Sequence, residues 1–321
     1  LKELRLGLAG LGRHGARYAR HLLRGEVPGA RLAAIARREV ALGREQAKEW
    51  GVAFHEDVRS LARDPSVDAL LVVTPAAHHA EAVEASADAR KPVLVEKPLA
   101  PDPASCDRIA RAAERSGIEV MVGQTSRYEG PILGLLDALP SIAPVREVLF
   151  SLRSEDRTHE KGVFSDRLDD GGALLDSGVH YFDLLPFLIG PIAEVWCERR
   201  FVRGSRIDDA YTAVLRSRSG ARAVIDMSRW GSSRRESIEV VGEGGILVAS
   251  RTPPSLERIE GRKSRSVPFP HVPGTLIPVL LDFLRVSRGA TRPPITIADG
   301  RAAVALADAC ARSGGSWIPP D

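Results

Sequence analysis

The run Gly10-Leu11-Gly12-Arg13-His14-Gly15 constrains this chain most, because it stands between a short apolar strand, Leu4 to Ala9, and a helical stretch, Ala16 to Leu23. Glycines at that spacing meet three steric demands: a tight turn, close approach of backbone to an anion, and close packing of strand on helix. The helix start adds unpaired N–H groups that favour a pyrophosphate. A second strand, Arg31 to Ala36, follows at the distance expected of a strand–helix–strand unit, and a helix then runs to Trp50. The pattern predicts a doubly wound, dinucleotide-binding sheet with Gly10, Gly12, Arg13, His14 and Gly15 around the pyrophosphate. A glycine turn selected only for packing is the alternative.

The end of the second strand bears on cofactor type. An acid about 20 residues past such a fingerprint holds a ribose 2′-hydroxyl, whereas an arginine accommodates a 2′-phosphate. Here the strand end reads Ala36-Arg37-Arg38-Glu39. Arg37 and Arg38 favour NADP(H), since arginine–phosphate contacts are charge-assisted and often bidentate. NAD(H) stays open, with Glu39 as the acid.

Further strands, Asp68 to Val73, Val93 to Val95 and Glu119 to Val122, alternate with helices over Ala76 to Ala89 and Ala104 to Ser116. Ligands of open α/β sheets bind outside the carboxyl ends of the strands. Lys97, in Glu96-Lys97-Pro98 at one such end, is therefore a candidate for chemistry, the alternative being a solvated lysine before a strand-ending proline. The neighbours His78 and His79 do not make a metal site, because adjacent helical side chains point about 100° apart and no nearby ligand completes a set. No metal is expected, and His79 reads as packing in the first turn of its helix.

The second half carries Gly171-Gly172-Ala173-Leu174-Leu175-Asp176-Ser177-Gly178-Val179-His180-Tyr181-Phe182-Asp183-Leu184-Leu185. Read as one helix at about 100° per residue, it puts Asp176, His180 and Asp183 in a narrow stripe on an otherwise apolar element. Burying these groups unpaired is costly, so they should face a cavity or find partners. An ordinary surface pair between Asp176 and His180, one turn apart, is the alternative.

Together these motifs resemble the Gfo/Idh/MocA oxidoreductases. The resemblance covers nearly the whole chain and rests on Gly10-x-Gly12-x-x-Gly15, Thr74-Pro75 followed by His79-Ala80-Glu81, Glu96-Lys97-Pro98, Arg127-Tyr128 with Pro131, and Asp176-x-Gly178-x-His180. It implies an N-terminal Rossmann domain and a C-terminal α/β domain with a large, mostly antiparallel sheet that lines the substrate site and often forms the oligomer contact. It also implies Thr74, Pro75, His79, Glu96 and Lys97 at the cofactor, and Lys97 as the active-site lysine. Asp176 matches the substrate-binding carboxylate and His180 the acid/base histidine, with Arg127 and Tyr128 at the substrate. Two positions depart from the pattern: Ala76 replaces a frequent Asn, and Arg90 a frequent Gly.

Length and composition agree. A chain of 321 residues suits two domains, since single cores seldom grow beyond about 250–300 residues; we expect them at 1–124 and 125–321. In the second, Val145 to Arg153, Ile192 to Val202, Asp209 to Arg216, Ala221 to Ser228 and Ser237 to Val241 read as strands, with tight turns at Ser219-Gly220 and Gly242 to Gly245. The polar stretch Ser151 to Asp170, with Arg153, Glu155, Arg157, His159 and Arg167, is a candidate selectivity loop, Arg153 being a substrate contact. Helices over Leu276 to Arg288 and Ile297 to Ser313 should pack beside the sheet or back on the first domain. A net charge of +3 with dispersed arginines argues against nucleic acid. No apolar run is long enough for a membrane span, and the N-terminus enters the first strand directly, so a cytoplasmic protein is expected. The three cysteines, Cys106, Cys197 and Cys310, are far apart and read as reduced packing thiols.

The expected chemistry is reversible hydride transfer between a nicotinamide and a secondary alcohol or ketone of a sugar, polyol or sugar derivative. His180 would move the hydroxyl proton, Lys97 would stabilise charge on the oxygen and Asp176 would hold a substrate hydroxyl. The resemblance implies a homo-oligomer, dimer or tetramer, built through the C-terminal sheet. Alternatives are a catalytically silent nucleotide-sensing regulator of the same fold and a redox-assisted epimerase or eliminating enzyme.

Overall fold

A computed structural model describes residues 2–155, 171–202 and 206–320. The chain divides into two compact units, Leu1–Gln124 with Leu276–Arg301, and Thr125–Thr275 with Ala302–Asp321. The Arg157, His159 and Arg167 of the expected selectivity loop lie outside the described residues.

The first unit is a six-stranded parallel sheet. Its strands are β1 (Leu4–Ala9), β2 (Ala30–Ala36), β3 (Ala53–His55), β4 (Ala69–Val72), β5 (Val93–Glu96) and β6 (Val120–Gly123), in the order β3-β2-β1-β4-β5-β6. The inner strands are continuously apolar, and β4 and β5 are buried at every residue, as sheets covered on both faces require. The helices α1 (Arg13–Leu23), α2 (Val40–Trp50), α3 (Val58–Arg63), α4 (His79–Asp88) and α5 (Pro103–Ser116) connect them. Sequence reading does not predict β3 or α3. Both are short, and local chemistry starts α3: the Asp57 carboxylate accepts the Ser60 N–H at 2.7 Å. The strand order reverses between β1 and β4, which opens the crevice at their carboxyl ends. In the same unit, α9 (Leu276–Ser287) lies beside β6, and the Val122 N–H donates to the Ile295 carbonyl.

The second unit has eight strands: β7 (Val145–Glu155), β8 (Ile192–Arg200), β9 (Ala210–Ser217), β10 (Arg222–Gly231), β11 (Arg235–Gly242), β12 (Gly245–Thr252), β13 (Pro254–Glu260) and β14 (Lys263–Ser266), in the order β14-β13-β12-β11-β7-β10-β9-β8. All neighbours are antiparallel except β7 and β10, which pair in parallel at the centre. The strands β12 to β14 extend the sheet beyond the expected five. Period-two alternation assigns its faces: Val148, Phe150 and Leu152 of β7 and Ala223, Ile225 and Met227 of β10 are buried. Over that face lie α6 (Gly130–Ala138), α7 (Ala173–Asp176) and α8 (Gly178–Ile189). The opposite face carries Val214, Val224, Leu149 and Val248, aligned across β9, β10, β7 and β12 with Glu239 of β11 between the last two.

The chain after α9 forms α10 (Ile297–Ser313). The three cysteines are buried free thiols, and burial pushes Cys106 up to about 12. No helix among the described residues is long and apolar enough to cross a membrane.

Candidate active site

In the first unit the expected residues gather at the carboxyl ends of β1, β4 and β5. Gly10 has a φ of 94°, and a Cβ there would lie 2.5 Å from the Val73 carbonyl carbon and oxygen. A Cβ on Gly15 would lie 1.9 Å from the Gly10 carbonyl oxygen, so the third glycine is demanded by packing. At Gly12, by contrast, a Cβ would meet nothing within 4 Å. Gly12 opens α1 and offers no side chain to cap it, so its space and the first N–H groups of the helix suit a pyrophosphate. Thr74, just beyond β4, has a buried hydroxyl oxygen with no hydrogen-bond partner among the described residues. An open glycine at a helix start and an orphaned hydroxyl in the crevice fit a dinucleotide cofactor.

Glu96, buried at the end of β5, organises the lysine motif. Its Oε1 accepts the Tyr18 hydroxyl at 2.6 Å and faces His14 Nε2 at 2.8 Å, while its Oε2 accepts the Lys97 N–H at 3.0 Å. Burial pushes this carboxyl up, but His14, Tyr18 and the charge of Lys97 outweigh it and hold it below the ordinary carboxylate value. His14 and Glu96 are thus partners of each other. Tyr18, one turn after His14, was not singled out from the sequence.

At the end of β2, the Arg37 guanidinium is engaged by Glu39, by Gln46 Oε1 at 2.9 Å and by the Leu11 carbonyl at 3.5 Å. Arg38 is exposed. His79 is buried, with Nε2 2.7 Å from the Thr74 carbonyl and Nδ1 3.0 Å from that of Pro98. Its ring therefore meets main chain on both sides, and packing describes it better than cofactor contact.

In the second unit, the stretch read as one helix is two, α7 and α8, interrupted at Ser177. Asp208 holds the start of α7. Its carboxylate accepts the Leu174 N–H at 2.7 Å and its carbonyl the Ala173 N–H at 2.9 Å, which caps α7. Burial pushes the Asp208 carboxyl up. Gly172 makes room for it, since a Cβ there would lie 2.2 Å from Asp208 Oδ1, and Gly178 makes room for the Tyr211 hydroxyl at 3.0 Å.

The three polar residues of the stripe pair outward. Asp176 Oδ2 accepts from Arg229 Nη2 at 2.8 Å, and that nitrogen also reaches Ser177 Oγ at 3.2 Å. His180 Nδ1 meets Ser126 Oγ at 2.9 Å. Asp183, with no exposed side-chain surface, accepts from Arg127 Nε and Nη2, each at 2.6 Å, and that guanidinium also stacks over Phe187 at 4.6 Å. Arg127, expected at the substrate, is thereby a fastener of α8. Tyr128 follows it, half-buried. Arg153 lies on the opposite face of the sheet, where it binds the side chain and, at 2.8 Å, the carbonyl of Asp226. This corrects its expected place beside the substrate motif: β7 alternation turns residue 153 away from the face that carries α7 and α8.

Ser126, Arg229 and Asp208 escaped sequence reading, yet one left a signal. In β10 the inward positions run Ala223, Ile225, Met227 and then Arg229, a charge on the buried face that is only 5% exposed. Glu236 of β11 departs likewise from Ile238 and Val240, and it is bound by Arg251 and by the Tyr181 hydroxyl at 2.8 Å. Among the described residues no group of three or more His, Cys, Asp or Glu could hold a metal.

Comparison with known proteins accords with this arrangement. Residues 4–124 match the oxidoreductase family with an NAD-binding Rossmann fold, and residues 144–248 the Gfo/Idh/MocA C-terminal domain. The chain is 29% identical to a myo-inositol 2-dehydrogenase of Thermotoga maritima, over 97% of this chain and 96% of that one. It is 31% identical to an inositol 2-dehydrogenase of Acidothermus cellulolyticus, over 83% and 78%. Its fold is similar to that of levoglucosan dehydrogenase in complex with NADH and L-sorbose, with a TM-score of 0.88 at 21% identity over 100% of both chains. The two matched domains, in the order and over the motifs described above, mean that the chain belongs to the Gfo/Idh/MocA family of nicotinamide-dependent oxidoreductases.

Proposed function

We propose that this protein oxidises a secondary alcohol of a polyol or sugar, reversibly, with Lys97, Asp176 and His180 as its working groups. A nicotinamide cofactor, held at its pyrophosphate by the open Gly12 turn, would supply or accept the hydride. His180 carries the hydroxyl proton on Nε2, because Nδ1 is engaged by the buried Ser126 hydroxyl. That engagement is the observation on which the reading chiefly rests: it orients the ring and supports Nε2 as the proton-transferring nitrogen. Lys97 stabilises negative charge on the substrate oxygen, its backbone held by the Glu96 carboxylate. Asp176, partly exposed and oriented by Arg229, accepts a substrate hydroxyl. Relatives named for inositol oxidation support a cyclic polyol or sugar as the substrate class.

For the cofactor we retain NADP(H) as the preferred partner, with Arg38 as the residue that grips the 2′-phosphate. Arg37, tied to Glu39 and Gln46, shapes the ribose end instead. A homo-oligomer formed through the open face of the second sheet agrees with the apolar line Val214, Val224, Leu149 and Val248.

The test is turnover of polyols, aldoses and keto-sugars with each cofactor, followed by nicotinamide absorbance. His180→Asn should slow turnover by about 10² to 10⁴, Lys97→Met should lower kcat with cofactor affinity nearly kept, and Asp176→Asn should raise KM. Losing a charge-assisted contact in Arg38→Ala should weaken NADP(H) roughly ten- to a hundredfold and leave NAD(H) unchanged. Absence of any net nicotinamide turnover, or a His180→Asn enzyme with normal rate, would overturn the reading.

A further inference from the structure

We propose that His79 is a positioning residue: a buried two-ended clamp that fastens the loop after β4 to the loop after β5 and so sets Thr74 and Lys97 against each other. The inference builds on the role given to Lys97 above. Strands β4 and β5 pair in parallel up to Val72 opposite Val95. Thr74 and Lys97 each stand two residues beyond that last pair, where the ladder no longer ties the two chains together. Residues that must meet one ligand need such a tie, since a misplacement of about 1 Å can cost about a hundredfold in rate.

His79 supplies it. The residue opens α4 and is 1% exposed. Its Nε2 lies 2.7 Å from the Thr74 carbonyl, and its Nδ1 lies 3.0 Å from the Pro98 carbonyl and 3.2 Å from that of Leu99. One ring therefore touches the main chain of Thr74 and the two residues that follow Lys97. Carbonyl oxygens only accept, so any hydrogen bond of the clamp is donated by a ring N–H. Burial lowers the His79 pKa and so favours the neutral ring, which donates a hydrogen bond at one end and holds its other nitrogen against the opposite carbonyl by packing. On its other side Lys97 is held through its N–H by Glu96. The lysine backbone is thus gripped before and after the residue, by two buried side chains from different helices and strands.

The experiment compares wild type with His79→Leu, which keeps bulk and removes the ring's hydrogen bonding, and His79→Gln, whose amide can donate at one end. Three readouts are taken well below each melting temperature: steady-state kinetics, NADPH and NADH titration by fluorescence, and hydrogen exchange of the peptides covering 74–78 and 97–100. His79→Leu should lower kcat roughly ten- to a hundredfold with substrate KM within about threefold, with faster exchange confined to those two peptides. His79→Gln should recover part of both effects. If His79→Leu does not fold, the same readouts on His79→Gln decide. A folded variant that loses melting temperature but keeps wild-type kcat and wild-type exchange in both loops would overturn the proposal. Lys97→Met run alongside separates the two ideas: normal turnover there removes Lys97 from the chemistry, while the exchange and titration data still report on the clamp.

Discussion

Replacing Arg127 by alanine distinguishes the place expected for it from the place it occupies. As a substrate contact, its loss would raise KM and leave stability nearly intact. The structure predicts the reverse. Asp183 is fully buried and receives two guanidinium hydrogen bonds of 2.6 Å. Deleting one partner of a buried ion pair strands the other charge, at a cost of about 3–5 kcal/mol. Loss of the guanidinium contact over Phe187 adds about 0.5–1 kcal/mol. Together these amount to roughly 4–6 kcal/mol, or a fall in melting temperature of roughly 8–24 °C at about 2–4 °C per kcal/mol for a unit of this size. Differential scanning calorimetry with denaturant titration measures it. The double variant Arg127→Met with Asp183→Leu, which removes both charges, should recover most of the loss. An Arg127→Ala protein within about 1 kcal/mol of wild type, with KM raised, would refute the argument and return Arg127 to the substrate.

Arg90 is the one residue other than glycine with positive φ among the described residues, at 55°, just past the end of α4. Arg90→Gly should stabilise the protein by about 0.5–1 kcal/mol by relieving this conformation; a lower denaturation midpoint would contradict it. Hydrogen bonds from Arg5 hold the Asp68 carboxyl at about 2. Because its pKa is depressed on folding, its contribution is complete above the ordinary carboxylate value of about 3.9 and is lost as pH falls through about 2. Asp68→Asn should flatten that part of the acid-unfolding curve, and superimposable curves would count against the pair. Gly12→Ala should fold normally, having space for a Cβ, yet bind dinucleotide at least about tenfold more weakly. Gly15→Ala should fail to reach the native fold, and wild-type stability there would disprove the packing argument.

The first sheet was nearly all legible in the chain. Buried parallel strands are continuous apolar runs, and glycine spacing at a strand–helix junction is a steric requirement, so β1, β2, β4, β5 and β6 and the turn at Gly10 follow from local chemistry. The elements not anticipated were β3, α3, α6 and β12 to β14: β3 and α3 are short, α6 follows directly on the expected domain boundary, and β14 is exposed throughout, so no burial pattern marks it. In the second half, alternation in β7 to β11 predicted strands and hairpins, but not that β7 and β10 would lie side by side in parallel. That pairing joins residues some 75 positions apart, such as Arg222 with Glu147, and nothing local encodes it.

The same division runs through the candidate site. Lys97, Asp176 and His180 could be proposed from the sequence as candidates because each sits in a motif whose spacing is local. Which groups hold them could not be, since Ser126 reaches His180 across 54 residues, Arg229 reaches Asp176 across 53 and Tyr18 reaches Glu96 across 78. Local spacing determines helix starts, strand faces and the candidates for chemistry, because those depend on one chain segment and its solvent. Charge compensation, the capping of α7 by Asp208 and the two-sided hold of His79 depend on groups brought close only after the sheets have formed, so tertiary structure alone decided them.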